Sequence, residues 1–425
     1  MSDQRGIDRR TFAKTAVAIG GSAALSACLG RFGGVDVEQG PDDLSSIPDR
    51  QHDWNAVLAT DEHGNNLQPR HHVLLLFEYA ADGTPSERDR ETVETAFQTL
   101  ERAYVRGNEG LLFTVGYTPR YFDRFDASLP DAVDLPDPEA LAPFEDPALD
   151  TPDALVHLAS DHAEVVLAAE EALRGEREEV NGVSMETSVD GVLSRVDRRT
   201  GFIGEGLPAE NDDVAGVPEG EVPEESPLFM GFKSGFEKNQ ATEDRVTIQD
   251  GPFAGGTTQH LSKITLSLDQ WYNQDSRRHR VSTMFCPAHA EDGVVEGVGD
   301  NLGTDPEIES RGCPAHTQED ARTEGVVGHS QKTARAREDG RPIILRRDFD
   351  STDDDQASVH FLSLQRAIGD FVETRKQMNG TDVAGSAAVG QRTNNGILQY
   401  MTVTRRGNYF LPPRAHRSLP TPDPR

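Results

Sequence analysis

The order of apolar runs and amphipathic stretches predicts an α+β chain whose N-terminal half is a ferredoxin-like unit and whose C-terminal half is a second α+β unit. Three observations carry this. Strand-like runs and helical stripes follow one another as strand–helix–strand–strand–helix between residues 72 and 173, the order of a ferredoxin-like motif. A connector rich in Gly, Pro and Glu occupies residues 203–227 and marks the boundary. A fresh series of strands and helices then begins at Gly255.

The first element, His72 to Tyr79, is an apolar run suited to a buried strand. From Ser86 to Tyr104 an acidic segment places Val93, Phe97, Leu100 and Tyr104 on one helical face. Gly110 to Tyr117 reads as the second strand, and Leu129 to Pro152, rich in Pro and Asp, as loop. Asp153 to Ala159 is the third strand. Asp161 to Leu173, with Val165, Val166, Ala169 and Leu173 in a stripe, is a helix with Asp161 near its start. In the second half, Ile264, Leu266 and Leu268 alternate as a half-buried strand requires, and Asp269 to Tyr272 opens a short helix. Residues 285–340 read as irregular. Pro342 to Leu345 and Val359 to Leu364 are strand-like, and Ala367 to Met378 is a closing helix with Phe371 and Val372 inward.

The 425 residues carry a formal charge of −31, and only six of the 42 basic residues are Lys. Such a surface repels phosphate backbones and excludes nucleic-acid binding. Dense carboxylates suit solvation at high salt, where their mutual repulsion is screened. The expectation is a halophilic source, with an ordinary acidic secreted protein as the alternative.

Arg9-Arg10-Thr11-Phe12-Ala13-Lys14 precedes an uncharged stretch from Thr15 to Ala27, the pattern of a twin-arginine export signal. The stretch is 13 residues long, short of the ~20 needed to span a bilayer. It ends in Leu25-Ser26-Ala27-Cys28, which resembles a lipobox in which Cys28 is acylated; a plain signal peptide is the alternative. The expected organisation is a signal at 1–28, a flexible tether at 29–50, an N-terminal unit at 51–205, a C-terminal unit at 206–410 and a tail at 411–425. The expected location is the outer face of the cell membrane, held there only by the lipid anchor, or the extracellular medium.

Cys286-Pro287-Ala288-His289 and Cys313-Pro314-Ala315-His316 repeat one motif 27 positions apart. Two Cys-x-x-His units can build a Cys₂His₂ zinc site from Cys286, His289, Cys313 and His316. An exported chain also admits a disulfide, which would contribute about 3 kcal/mol in the chain-entropy picture. Free thiols are the third alternative.

Four segments together resemble the dye-decolourising (DyP-type) haem peroxidases. Leu111-Leu112-Phe113-Thr114-Val115-Gly116-Tyr117 with Tyr121-Phe122-Asp123-Arg124-Phe125 is similar to the family's N-terminal strand and following loop. Asp153 to Asp161 resembles its next strand and helix start, and Gly255-Gly256-Thr257 into the strand before Trp271 resembles the opening of its second domain. The most specific match is Gly328-His329-Ser330-Gln331-Lys332-Thr333-Ala334-Arg335-Ala336-Arg337, followed by Ile344-Leu345-Arg346-Arg347-Asp348-Phe349. These pieces fall in order across most of residues 70–380.

The resemblance implies two ferredoxin-like domains of the dimeric α+β barrel type with haem b in the C-terminal one. It implies a peroxidase, exported if the N-terminal segment acts as the signal it resembles, that reduces hydrogen peroxide and oxidises an organic or dye-like donor, with homo-oligomers allowed. His329 falls where the family has its proximal iron ligand, a role suited to neutral imidazole. Arg346, 17 residues on, matches the distal arginine, whose permanent charge stabilises a leaving peroxide oxygen. Arg347 is the candidate for a structural ion pair instead. Phe361 resembles the aromatic over the distal face, and a core role fits it equally. The family's Gly-x-x-Asp-Gly motif is replaced by Gly201-Phe202-Ile203-Gly204-Glu205-Gly206. Glu205 is therefore the expected distal carboxylate, with Asp212 and Asp213 in reserve; a Gly-rich loop with a solvated Glu is the alternative. The Gly- and Phe-rich loops at 229–236 and 250–256 are candidates to line a haem edge, with Lys233 or backbone N–H groups facing a propionate; small turns packed over a core would give the same pattern. Trp271, Tyr272 and Tyr117 are candidate surface electron relays or packing residues. No Cys-x-x-Cys-His occurs, so covalent haem attachment is not expected. A haem- or iron-handling binding protein with little turnover, and a haem-free interaction domain, are the competing readings.

Overall fold

The structure, a computed structural model, describes residues 35–386 and 388–424. The twin-arginine motif and Cys28 with its lipobox lie outside the described residues.

The N-terminal half runs β1 (His71–Tyr79), α1 (Glu87–Ala103), β2 (Leu112–Tyr117), β3 (Ala154–Ser160), α2 (Ala163–Leu173) and β4 (Leu193–Phe202). The C-terminal half repeats this order. It begins with β5 (Thr257–Leu266) and a helical region holding α3 (Arg277–Met284), α4 (Pro287–Glu291), α5 (Cys313–Thr323) and α6 (His329–Thr333). Then come β6 (Leu345–Arg346), β7 (Phe349–Ser351), β8 (Ser358–Gln365), α7 (Ile368–Asn379) and β9 (Met401–Leu411). Both halves are therefore ferredoxin-like.

The strands close into one antiparallel ring, β5-β8-β7-β4-β1-β3-β2-β9 and back to β5. The halves meet at two seams, where Asp350 pairs with Phe202 and Phe410 with Tyr117. Alternation along the strands splits the side chains between two faces. Leu74, Leu76, Leu155, Leu261, Leu362, Leu364, Tyr409 and Leu411 share the core that Phe349 joins. On the opposite face of the N-terminal half, Val73, Leu75, Phe77, Val156 and Leu158 pack under Val93, Phe97 and Leu100 of α1 and Val165, Val166 and Ala169 of α2.

Helix α1 starts where Ser86 and Asp89 form a reciprocal capping box. In α2 the cap position is His162, and Asp161 instead accepts a 2.9 Å hydrogen bond from the Arg70 backbone. The stretch expected to be irregular at 285–340 contains α4, α5 and α6; short length and abundant polar residues hid their periodicity. The expected short helix after Asp269 is a π turn at Gln270–Gln274. Strands β4 and β9 had no sequence signal. Each carries neighbouring arginines, and ion pairing supplies what an apolar stripe does elsewhere: Arg198 pairs with Glu170, Arg199 with Asp150 and Arg406 with Glu145.

The segments expected as tether and tail are both packed from Val37 and Leu411 onward. Val37 and Leu44 are buried, and Gly40 donates to the Arg102 carbonyl so closely that a Cβ there would sit 1.8 Å from the Glu101 carbonyl. At the other end Arg417 and Arg414 converge on Glu101, at 2.5 Å and 2.7 Å. Burial alone would raise the Glu101 carboxyl, but these two guanidiniums hold it below its ordinary value. Removing one member of a buried pair strands the others. Glu101→Gln is expected to destabilise the fold by about 3–5 kcal/mol, read as a lowered denaturant midpoint with an unchanged slope.

Candidate functional site

The C-terminal half turns one face of its sheet away from the shared core. Ser262, Ile264 and Leu266 of β5, Val359 and Phe361 of β8, and Met401 and Val403 of β9 occupy alternate positions on it. Helix α7 stands opposite with Phe371, Thr374, Arg375 and Met378, a set at helical spacing. Helix α6 adds His329, Ser330 and Thr333, and the loop 228–236 adds Phe232 and Phe236. Between sheet and helices lies a largely apolar cavity of about 230 Å³. No described residue before Leu228 lines it.

His329 and Arg346 both line this cavity, the first from the helical layer and the second from the sheet. Gly396 lies under His329 at φ 61°; a Cβ there would approach the His329 Cα to 3.1 Å. Burial first, then the charges of Arg346, Lys332 and Arg375, push the His329 imidazole down to about 3, so the ring is neutral. Its Nδ1 is buried and has no hydrogen-bond partner among the described residues. Lys332, one turn on, is fully buried and donates to the carbonyls of Met378 and Asn395, which anchors α6 to α7.

Arg346 is held through its backbone by both ends of the Gln240 amide, each at 3.0 Å. Its guanidinium makes no hydrogen bond or ion pair among the described residues. Arg347 points the other way, is buried, and pairs with Glu243 at 2.9 Å over the Trp54 ring; this is the structural ion pair expected of it. Phe361 lines the cavity with its ring centroid 5.8 Å from that of Phe371.

The period of the strand carries Asp348 and Asp350 to the same side as Arg346. Sequence reasoning missed both; the signal was the Arg-x-Asp-x-Asp spacing. Asp348 accepts a hydrogen bond from the Leu362 backbone at 3.2 Å through one oxygen only. Burial pushes its carboxyl up to about 6, against the opposing pull of Arg346. Asp350 accepts from the Phe229 backbone at 2.5 Å, and full burial drives its carboxyl well above the ordinary range.

Glu205 does not join this group. Its side chain is exposed and does not line the cavity, and neither do Asp212 and Asp213. The glycine pattern around it serves the backbone. A Cβ on Gly201 would lie 2.2 Å from the Phe349 ring and 2.4 Å from the Asp350 carbonyl, while Gly204 and Gly206 have φ of 124° and 85°. Lys233 reaches the cavity wall but is paired with Asp61 and Asp300. The loop at 250–256 lies elsewhere, with Phe253 packed on Phe410. Trp271, Tyr272 and Tyr117 are buried rather than at the surface, and each donates to a backbone carbonyl. Cys286 and Cys313 form a disulfide with His289 beside it, whereas His316 is exposed.

The remaining polar feature was invisible in the sequence. Arg375 of α7 and Arg406 of β9, both buried cavity residues, share one counter-ion, Glu145, from the Pro-rich loop. Nε and Nη1 of both guanidiniums are buried without partners. Two cations and one carboxylate leave a net positive charge and spare donors at the cavity wall, a cradle for a ligand carboxylate. An apolar slot with a neutral imidazole on one wall, an unpaired arginine on another and spare guanidinium donors fits a haem with its propionates.

Solved structures share this fold. A variant of DypB from Rhodococcus jostii RHA1 in complex with haem matches with a TM-score of 0.54 at 16% identity, over 86% of this chain and 97% of that one. The encapsulated DyP-type peroxidase of Mycobacterium smegmatis matches with a TM-score of 0.53 at 15% identity, over 84% and 97%. The dye-decolorizing protein from V. cholerae matches with a TM-score of 0.51 at 12% identity, over 86% and 98%. The architecture is thus the two-unit α+β barrel found in those proteins. A family model covers residues 69–413, and the chain belongs to that family, described as a family of unknown function, DUF7405. No curated protein matches the sequence.

The close approach at Gly201 is a direct test of how β4 seats on β7. Gly201→Ala is expected to destabilise the protein by about 1–3 kcal/mol, the range for overpacking, visible as a lower melting temperature.

Proposed function

We propose that this chain is a haem-dependent peroxidase, acting on hydrogen peroxide and an organic reductant. The observation that carries the reading is that one apolar cavity is lined by neutral His329, by unpaired Arg346 and by the spare donors of Arg375 and Arg406. The likeness to DyP-type peroxidase structures supports the fold such an enzyme needs. Export by the twin-arginine route to the outer face of the membrane, with Cys28 acylated, belongs to the same proposal and rests on sequence alone.

In this reading His329 would hold the iron of haem b, while Arg375 and Arg406 would take its carboxylates. Bound haem supplies a redox-active iron able to accept peroxide and to hold two oxidising equivalents. The chain supplies the proton handling. Asp348 replaces Glu205 in the distal role, because it is the carboxylate beside Arg346 in the cavity. The Asp348 oxygen without a hydrogen bond takes the proton from the peroxide oxygen that approaches, then returns it to the oxygen that departs. Arg346 lowers the energy of the charge that develops on that departing oxygen and never itself loses a proton. Burial drives Asp350 towards its neutral form.

The base form of Asp348 dominates above about pH 6 and is lost as pH falls through that value. The rate of reaction with peroxide is therefore expected to drop on the acid side of pH 6. Asp348→Asn should lower it about 10²–10⁴-fold and abolish that limb, whereas Glu205→Gln should leave both rate and profile unchanged. Stopped-flow spectra of haem-loaded protein decide between them; a loss in Glu205→Gln with Asp348→Asn unaffected would return the role to Glu205. His329→Ala should weaken or abolish the Soret band on haem titration while leaving the far-ultraviolet circular dichroism intact. Protein in which that variant keeps the wild-type iron spectrum would refute the ligand assignment.

A further inference from the structure

Behind the cavity wall lies a second cluster that the proposed reaction does not use. Cys286 caps the start of α4, His289 lies within α4, and Cys313 opens α5. All three are buried, and the two cysteines are joined with their Cα atoms 6.3 Å apart. His289 Nδ1 lies 3.1 Å from Cys286 Sγ and 3.6 Å from Cys313 Sγ. The three ligand atoms fall within 4.8 Å of one another.

The hydrogen bonds of His289 say which nitrogen carries the proton. Nε2 sits 2.8 Å from the Pro306 carbonyl oxygen, which can only accept, so Nε2 is the donor. Nδ1 then presents a lone pair to both sulfurs. A disulfide has no proton to give, so in the oxidised protein this buried lone pair meets no donor, an unfavourable state. A thiol would satisfy it, and so would a cation. Two thiolates and a neutral imidazole nitrogen are the ligands that a soft tetrahedral cation takes. With bonds of about 2.3 Å to sulfur and 2.0–2.1 Å to nitrogen, tetrahedral angles set sulfur and nitrogen roughly 3.6 Å apart. The distances of 3.1 Å and 3.6 Å are close to that.

We propose that Cys286, Cys313 and His289 form a redox-gated zinc site, closed as a disulfide when oxidised and open to one Zn²⁺ when reduced. A dithiol reductant delivers two electrons, the S–S bond breaks, and the reductant becomes a disulfide. Zinc then binds both sulfurs and His289 Nδ1, the two thiol protons pass to solvent, and water or chloride fills the fourth position. His316 is exposed and takes no part, so this is not the Cys₂His₂ set of the sequence motif. The site touches the segment that bears His329. The Gln331 side chain donates to the Cys313 carbonyl at 2.8 Å, and the Gln331 backbone donates to the Phe285 carbonyl at 3.2 Å. The inference does not rest on haem binding.

The test uses the full chain without added haem, before and after anaerobic treatment with excess phosphine, with thiols counted after denaturation. The reduced protein should bind one Co²⁺ per chain with a thiolate-to-cobalt charge-transfer band in the near ultraviolet, and Zn²⁺ should displace it. Oxidised protein should show no band. Cys286→Ser should abolish the band, His289→Ala should weaken cobalt binding at least tenfold, and His316→Ala should change nothing. Circular dichroism of each variant reports folding, and the wild-type titration stands on its own should a variant fail to fold. A disulfide that resists phosphine in the folded protein, a reduced protein without the band, or a band indifferent to His289 overturns the proposal. Each of these outcomes leaves the Soret experiment unaffected, so the two readings fail separately.

Discussion

The packing of Phe349 against His72 fixes which side chains the cavity receives. The two rings lie 4.2 Å apart at an interplanar angle of 1°, with His157 next in the stack. Gly201 lets β7 approach β4 at the same level, and Arg347 is drawn to Glu243 and the His52 carbonyl. Odd-numbered residues of the strand are thereby claimed by the N-terminal half. Because side chains alternate, Arg346, Asp348 and Asp350 have only the cavity left to them. A one-residue slip would exchange the two sets and put Phe349 in place of the acid and the arginine. The N-terminal half lines none of the cavity, yet it sets the chemistry there.

Charge balance narrows what the cavity accepts. His329 is neutral, Asp350 is driven towards its neutral form, and Asp348 is raised to about 6. Against them stand Arg346, Arg375 and Arg406, with Glu145 as counter-ion to the last two. Lys332 adds a buried amine solvated by carbonyl groups alone. Lys233 and Arg337 also reach the wall, each paired with acids, and a few hydroxyl and amide side chains join otherwise aliphatic and aromatic ones. A ligand with a flat apolar body and acidic substituents meets both requirements at once, whereas a neutral apolar molecule would leave buried guanidinium donors unsatisfied.

What the sequence disclosed follows from the range of the interactions involved. The apolar run at 72–79 and the stripe of Val93, Phe97 and Leu100 state their environment within a few residues, and they form β1 and α1. His329 and Arg346 were legible because a local motif surrounds each. Strands β4 and β9 were not, since their arginines pair with acids distant in the chain, and the Glu145 clamp is formed across 230 and 261 residues. Glu205 misled for a physical reason. Its neighbours are glycines because two strands and a tight turn need the space, so a pattern set by backbone packing imitated one set by chemistry.

The use of arginine at the clamp has its own logic. Lysine could pair with Glu145 as a point charge, and its remaining protons would turn with it. A guanidinium is planar, so Nη2 engages the carboxylate while Nε and Nη1 keep fixed directions of their own. In both Arg375 and Arg406 those nitrogens are the unpartnered ones. One carboxylate offsets one of the two charges, and the second cation has no protein counter-ion at the clamp. An acidic ligand that meets the second charge adds its binding energy to the stability of α7 and β9. Occupancy of the cavity and the cohesion of the C-terminal half are on this account a single equilibrium, tied through Glu145 to a loop of the other half.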